Sequence, residues 1–126
     1  MKGLEFVFLA IGSVLGAYLR FKVIESPLLF NAIPVNVLTV NVLGAFVLGV
    51  FIVISQQWHL DEKYSLFAAI GFCGSLTTMS GLALESNTLL EQSHYGTFAI
   101  NLIANIGLSI AALIGGKSLM SAIINN

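Results

Sequence analysis

The sequence predicts an all-α integral membrane protein with four transmembrane helices and a break in the third. Of the 126 residues, 57% are hydrophobic and only 9% are charged, whereas about 25% charge is usual in soluble domains. The mean hydropathy is +0.96. A bilayer core of about 30 Å needs about 20 apolar residues per helix. The chain therefore has length for four such helices and little else, and we expect a single transmembrane domain over residues 1–126.

Charged residues and turn residues divide the apolar sequence into predicted spans at about 4–23, 33–56, 64–90 and 97–123. The linkers are short, and the first one contains Pro27. If the spans alternate in direction, one side of the membrane receives Lys2, Lys63 and Lys117, and the other receives Arg20 and Lys22. This bias is too weak to determine orientation. It predicts insertion in both orientations and an antiparallel, dual-topology dimer, although burial of Arg20 would favour termini on the cytoplasmic side.

The first span contains a GxxxG pair, Gly12 and Gly16, and Arg20 follows one turn later on the same helix face. One interpretation is close helix packing that ends in an arginine extending to the lipid headgroups. The other places the guanidinium at an anion vestibule, or uses it to hold another helix end. A buried arginine must find acceptors, so both interpretations stay open.

Polar side chains recur in the second and fourth spans. Asn41 lies inside the second span, and Asn101, Asn105 and Ser109 follow an i, i+4, i+8 spacing in the fourth, with Gly107 as a small packing residue. Such a stripe forms either a dimerisation surface or a polar pathway. Membrane helices dimerise on small residues without asparagines, so the stripe favours a pathway.

The third span carries the strongest local signal. As an unbroken helix, residues 64–90 would be about 40 Å long, which exceeds the hydrocarbon core. A break near residues 74–78 would shorten it and expose carbonyl groups suited to a cation and amide groups suited to an anion. A bulky side chain at Gly74 is predicted to crowd this break. Glu85 is a lone carboxylate that is protonated, paired with a polar side chain or Arg20, or placed in a vestibule.

Catalysis has no support in the sequence, and we expect the protein not to be an enzyme. His59 and His94 both fall in linkers, Cys73 is the only cysteine, and no metal-spaced cluster or phosphate loop occurs. A proton-coupled small multidrug transporter is the alternative from another class, since it also has four spans. That mechanism needs a carboxylate within the first span, whereas Glu5 lies at the very start of it.

Motifs in three successive spans resemble the Fluc/CrcB family of bacterial fluoride channels, and the resemblance covers essentially the whole chain. The string from Gly71 to Thr78 is the most specific signal. The matching residues are Gly12, Gly16, Ala17, Arg20 and Phe21 in the first span, Pro34, Leu38, Val40, Asn41 and Gly44 in the second, and Gly71, Phe72, Cys73, Gly74, Leu76, Thr77, Thr78, Ser80 and Glu85 in the third.

The resemblance implies passive export of fluoride across the bacterial plasma (inner) membrane by an antiparallel dimer with two pores. It also implies a structural sodium ion on the dimer axis, held by the main-chain carbonyls of Gly74 and Thr77. Arg20 and Glu85 would be vestibule or structural charges. The residues expected along the fluoride path are Asn41, Thr78, Met79, Ser80, Leu82, Asn101, Asn105 and Ser109.

The chain departs from the family pattern at the second half of the third-span motif. Met79 and Leu82 stand where the family has phenylalanines, whose positive ring edges suit fluoride. Methionine is polarisable but has no ring quadrupole. Two outcomes stay open: a homodimer that uses other coordinating groups, or a subunit with altered or impaired pores that pairs with a paralogous chain.

Overall fold

The computed structural model describes the backbone of residues 2–26, 29–30 and 33–126, and the side chains of residues 2–26 and 35–126. The elements in chain order are α1 (Lys2–Glu25), β1 (Leu29–Phe30), β2 (Ile33–Pro34), α2 (Asn36–Trp58), α3 (Glu62–Ser65), a π-helical segment (Leu66–Cys73), α4 (Gly74–Leu76), α5 (Met79–Glu91) and α6 (Tyr95–Asn125). Four stretches are long and apolar enough to cross a membrane: Lys2–Glu25, Asn36–Trp58, Glu62–Glu91 and Tyr95–Asn125. The predicted helical class with four spans is confirmed.

The first linker differs from the prediction, because it carries an antiparallel pair of two-residue strands, β1 and β2. The second span was expected to start at Ile33, but α2 begins at Asn36. Ile33 precedes Pro34, and a residue before proline is disfavoured in the helical region, so the helix starts later. Pro27 lies outside the described residues.

Asn36, the first residue of α2, holds the end of α1. Its Nδ2 atom lies 2.8 Å from the carbonyl oxygen of Val23, 3.1 Å from that of Ile24 and 2.5 Å from that of Ser26. The last carbonyl groups of a helix have no partner within the helix. The amide group therefore closes the end of α1 and keeps the two ends of the linker together.

α1 packs against the π-helical segment through the GxxxG pair. A Cβ atom at Gly12 would overlap the carbonyl oxygen of Phe67, and one at Gly16 would overlap that of Phe72. The absence of side chains lets the two backbones touch. The packing interpretation of this motif is confirmed.

α2 packs along α6, and the two helices run in the same direction. A Cβ atom at Gly49 would overlap the carbonyl oxygen of Leu113, and one at Gly116 would overlap that of Phe46. Gly107 has no packing role within the described chain, because a Cβ atom there would meet nothing within 4 Å; a role against a second chain stays a prediction. Gly107 lies on a face of α6 that the chain leaves open, and the close approach depends on Gly49 and Gly116.

Candidate functional site

The third span is interrupted at two threonines. α4 ends at Leu76 and α5 begins at Met79. Between them Thr77 has φ −78° and ψ 153°, and Thr78 has φ −147° and ψ 115°, so both are extended. The interruption lies within the predicted range of residues 74–78 but is confined to its last two positions.

Two side-chain oxygens accept hydrogen bonds from backbone amides that would bond to backbone carbonyls in a continuous helix. The backbone amide of Thr78 donates to Oδ1 of Asn41 at 2.7 Å, and that of Gly81 donates to Oγ1 of Thr78 at 2.9 Å. In an unbroken helix these amides would bond to the carbonyl oxygens of Gly74 and Thr77. Within the described part of the chain, those two carbonyls accept no backbone hydrogen bond from these amides.

Three asparagines form a connected chain of hydrogen bonds. Nδ2 of Asn41 donates to Oδ1 of Asn105 at 2.9 Å. Nδ2 of Asn105 then reaches the backbone oxygen of Asn101 at 2.9 Å and its Oδ1 at 3.1 Å. Asn101 and Asn105 are both buried. The stripe predicted on the fourth span therefore faces the protein interior at these positions and connects to the second span.

Several side-chain polar atoms near the three asparagines are buried and have no hydrogen-bond partner among the described residues. Nδ2 of Asn101 and the hydroxyl oxygens of Ser86 and Ser109 have no hydrogen-bond partner among the described residues. The carboxyl group of Glu85 lies beside the Asn101 side chain. An unpartnered buried polar group costs about 1–3 kcal/mol, so the hydroxyls of Ser86 and Ser109 each call for a ligand or a water, whereas Asn101 has the Glu85 carboxyl group beside it. The sequence prediction missed Ser86, although its spacing of four residues from Leu82 places both on one face of α5.

A cavity of about 430 Å³ opens beside the interruption. Most of its polar lining comes from the predicted site residues. Those that line it are Asn41, Gly74, Thr77, Thr78, Met79, Leu82, Asn105 and Ser109, and Cys73 joins them unpredicted. Asparagine, serine and threonine side chains converge here from α2, α6 and the interruption. Because Asn41, Thr77 and Asn105 donate within the chain, the Ser109 hydroxyl is the lining donor that is left without a partner among the described residues.

Gly74 lines the cavity, and there is space for a Cβ atom at this position. A Cβ atom there would meet only the carbonyl oxygen of Ala69, at 3.7 Å, which is an ordinary contact. A Cβ atom therefore fits at Gly74 within the single chain, and crowding by a larger side chain stays a prediction.

The two positions that depart from the family motif differ in their surroundings. The side chain of Met79 is 74% exposed, whereas Leu82 is only 3% exposed and belongs to the core. Ser80 is exposed as well, and its hydroxyl lies 3.1 Å from that of Thr78. Met79 and Ser80 are accessible at the start of α5, while Leu82 is held by packing.

Arg20 is not among the residues that line the cavity. It is half-buried on α1 and forms no hydrogen bond or ion pair with any described residue. The pairing of Glu85 with Arg20 that the sequence allowed is not formed; Glu85 lies beside Asn101 instead.

Comparison with known proteins identifies the family. The family model described as "CrcB-like protein, Camphor Resistance (CrcB)" matches residues 7–117. The chain belongs to the CrcB family. It is 74% identical over 126 residues to the "Fluoride-specific ion channel FluC" of Nitrosopumilus maritimus (strain SCM1), covering 100% of both chains.

Two more distant relatives carry the same name. They are the proteins of Koribacter versatilis (strain Ellin345), 35% identical, and of Methanococcus vannielii, 33% identical; each match covers 94% of this chain and 97% of the relative. The family resemblance of the motifs is confirmed. With four membrane-capable stretches, the chain is a multi-pass membrane protein.

Proposed function

We propose that this protein is a fluoride-selective channel through which fluoride leaves the cytoplasm passively across the plasma membrane. Each chain would be one four-helix transmembrane domain, and two antiparallel chains in dual topology would enclose two pores. The names of the relatives support the substrate. The observation that carries the proposal is the column of buried polar groups that connects the interrupted third span to α6.

The column has the chemistry that fluoride requires. A small, strongly hydrated anion enters a membrane only where hydrogen-bond donors replace its water. The hydroxyls of Ser86 and Ser109 are buried donors without a partner in the described chain. Asn101 and Ser109 lie eight residues apart on α6, and Ser109 also lines the cavity at the interruption.

Charge at the interruption suits an anion, whereas the Glu85 carboxyl group lies beside Asn101 farther along the column. No carboxylate lines the cavity at the interruption. α5 begins there at Met79, and the amide end of a helix carries partial positive charge. In this proposal the pathway residues are those predicted from the sequence: Asn41, Thr78, Met79, Ser80, Leu82, Asn101, Asn105 and Ser109. Arg20 and Glu85 act as charges at the vestibules.

A structural sodium ion at the dimer axis belongs to the same proposal. No group of three or more histidine, cysteine, aspartate or glutamate side chains able to hold a metal occurs in the described residues. A cation would therefore depend on oxygens of the backbone, as in carbonyl-lined ion sites. The carbonyls of Gly74 and Thr77 fit, because the amides that would occupy them are diverted to Asn41 and Thr78. When bound, the ion would neutralise these carbonyl dipoles and join two chains.

Flux from liposomes tests the function. Purified protein should discharge a fluoride gradient and leave an equal chloride gradient intact. A well-folded assembly that passes no fluoride would contradict the homodimeric channel. Co-reconstitution with a paralogous chain then tests the heterodimer, which is motivated by the exposed thioether of Met79 at the cavity.

The alternative transporter class loses support from the structure as well as from the family. Glu5 lies in the first turn of α1, far from the middle of the span where proton coupling requires a carboxylate. Proton-driven uptake of a lipophilic cation, abolished by Glu85→Gln, would reinstate that class.

A further inference from the structure

A second polar hollow lies at the opposite end of α2 from the asparagine chain. It measures about 290 Å³, between the last turns of α2 and α6, which is near the lower end of the range of about 300–1,000 Å³ for small-molecule pockets. Its polar lining comes from Gln56, Gln57, Lys117, Ser121 and Asn125. None of these residues lines the cavity of the proposed pathway.

Lys117 lines this hollow and is exposed on α6. A Cβ atom at Gly49 would lie 3.1 Å from the backbone nitrogen of Lys117, so the lysine is level with Gly49. Nine residues separate Gly49 from Trp58, the end of α2, which is about 13 Å of helix. A lysine side chain extends about 6 Å towards the headgroups. The ammonium group is therefore within reach of the polar side chains in the last turns of α2 and α6.

The polar groups around the ammonium group are not used by the chain itself. None of the five polar side chains of the hollow forms a hydrogen bond or an ion pair with another described residue. No aspartate or glutamate lines it. An ionisable residue within a membrane span usually marks a functional site with a partner. Here the available groups are one cation and several neutral donors, which suits an oxyanion.

We propose that this hollow binds the phosphate group of an anionic glycerophospholipid. Lys117 would supply the charge, while the amides of Gln56 and Gln57 and the hydroxyl of Ser121 donate to the remaining phosphate oxygens. Val53 and Ile124 form apolar walls of the hollow. Basic pockets between transmembrane helices are typical sites for anionic headgroups.

The surroundings favour a lipid over free phosphate as the source of the oxyanion. Ile114 lies one turn from Lys117 towards the middle of the membrane and is 57% exposed, so an acyl chain attached to the bound headgroup would find an apolar surface. Free phosphate would have to lose water without that contact. The site is independent of the proposed fluoride pathway, and either proposal can fail without the other.

Native mass spectrometry of the purified full-length protein provides the test, with phosphatidylglycerol and phosphatidylcholine of equal chain length as probes. We expect phosphatidylglycerol to bind about fivefold more tightly, because one basic residue makes a charge-assisted contact with a headgroup of net negative charge. Lys117→Gln should remove this preference. Lys2→Gln is the matched control, because it removes an exposed lysine elsewhere in the chain and should preserve the preference.

Three results would overturn the proposal. They are an unchanged preference in Lys117→Gln, an equal loss in Lys2→Gln, and displacement of phosphatidylglycerol by an equal concentration of inorganic phosphate, which would make the site one for a free anion. If Lys117→Gln does not assemble, Ser121→Ala combined with Gln57→Leu removes two donors. That variant should weaken phosphatidylglycerol binding, and unchanged binding of phosphatidylglycerol would also contradict the site.

Discussion

The side-chain oxygen of Asn41 accepts the backbone amide of Thr78 at 2.7 Å across 37 positions of sequence. The nitrogen of the same amide group donates to Asn105 at 2.9 Å. One side chain thus replaces a helical hydrogen bond at the interruption and connects it to the buried stripe of α6. A substitution that removes the oxygen or the nitrogen of the Asn41 side chain should therefore disturb both the interruption and its connection to α6.

We predict that Asn41→Asp suppresses fluoride flux by more than about tenfold while the assembly survives. An aspartate can still accept the amide of Thr78, but it loses the donor to Asn105 and adds negative charge to an anion path, where like charges repel strongly in a low dielectric. Asn87→Asp is the control, since Asn87 is exposed and bonds only Glu91, at 3.2 Å. Undiminished flux in Asn41→Asp liposomes would remove Asn41 from the pathway.

The sequence predicts the spans and the polar stripe because both depend on local composition and helical periodicity. It could not predict the bond between Asn41 and Thr78, since an acceptor on another helix is set by tertiary packing. Packing also decides which glycines allow close approach within the chain. Gly49 and Gly116 lie where α2 meets α6, whereas Gly107 faces open space, and sequence alone does not tell these glycines apart.

The glycines of α1 give a stability prediction. Gly16→Ala should destabilise the protein by about 1–3 kcal/mol, the usual effect of overpacking, because the new Cβ would overlap the carbonyl oxygen of Phe72. Gly96→Ala should be neutral or slightly stabilising, because a Cβ there meets nothing within 4 Å. Thermal unfolding in detergent measures both. Equal midpoints for the two variants would contradict the close contact of α1 with the π-helical segment.

Met79 and Leu82 should respond differently to phenylalanine. Met79→Phe should fold normally, because the side chain is 74% exposed beside the cavity, and the ring edge it brings to the path should change fluoride flux. Leu82→Phe should lower stability by about 1–3 kcal/mol, because Leu82 is 3% exposed and the core must accommodate extra volume.

Extraction yield, thermal unfolding and flux of both variants check this prediction. Leu82→Met is the matched control, since a volume-conserving change usually costs less than about 1.5 kcal/mol. If Leu82→Phe is as stable as Met79→Phe, the core assignment of Leu82 is wrong.

The substitution Gly74→Val distinguishes two possible roles of Gly74. Its small size either prevents crowding within the chain or permits contact with an ion or a second chain. The single chain has space, since the nearest atom to a Cβ is the carbonyl oxygen of Ala69 at 3.7 Å, so helix content and yield should be preserved. If the Gly74 carbonyl binds sodium where two chains meet, the variant should lose the stabilisation that sodium gives to the dimer. Dimer fraction in sodium chloride and in N-methylglucamine chloride measures this, with Gly96→Val as the control at an open site. An unchanged sodium dependence in Gly74→Val would exclude Gly74 from the ion site, whereas an unfolded variant would restore the crowding interpretation.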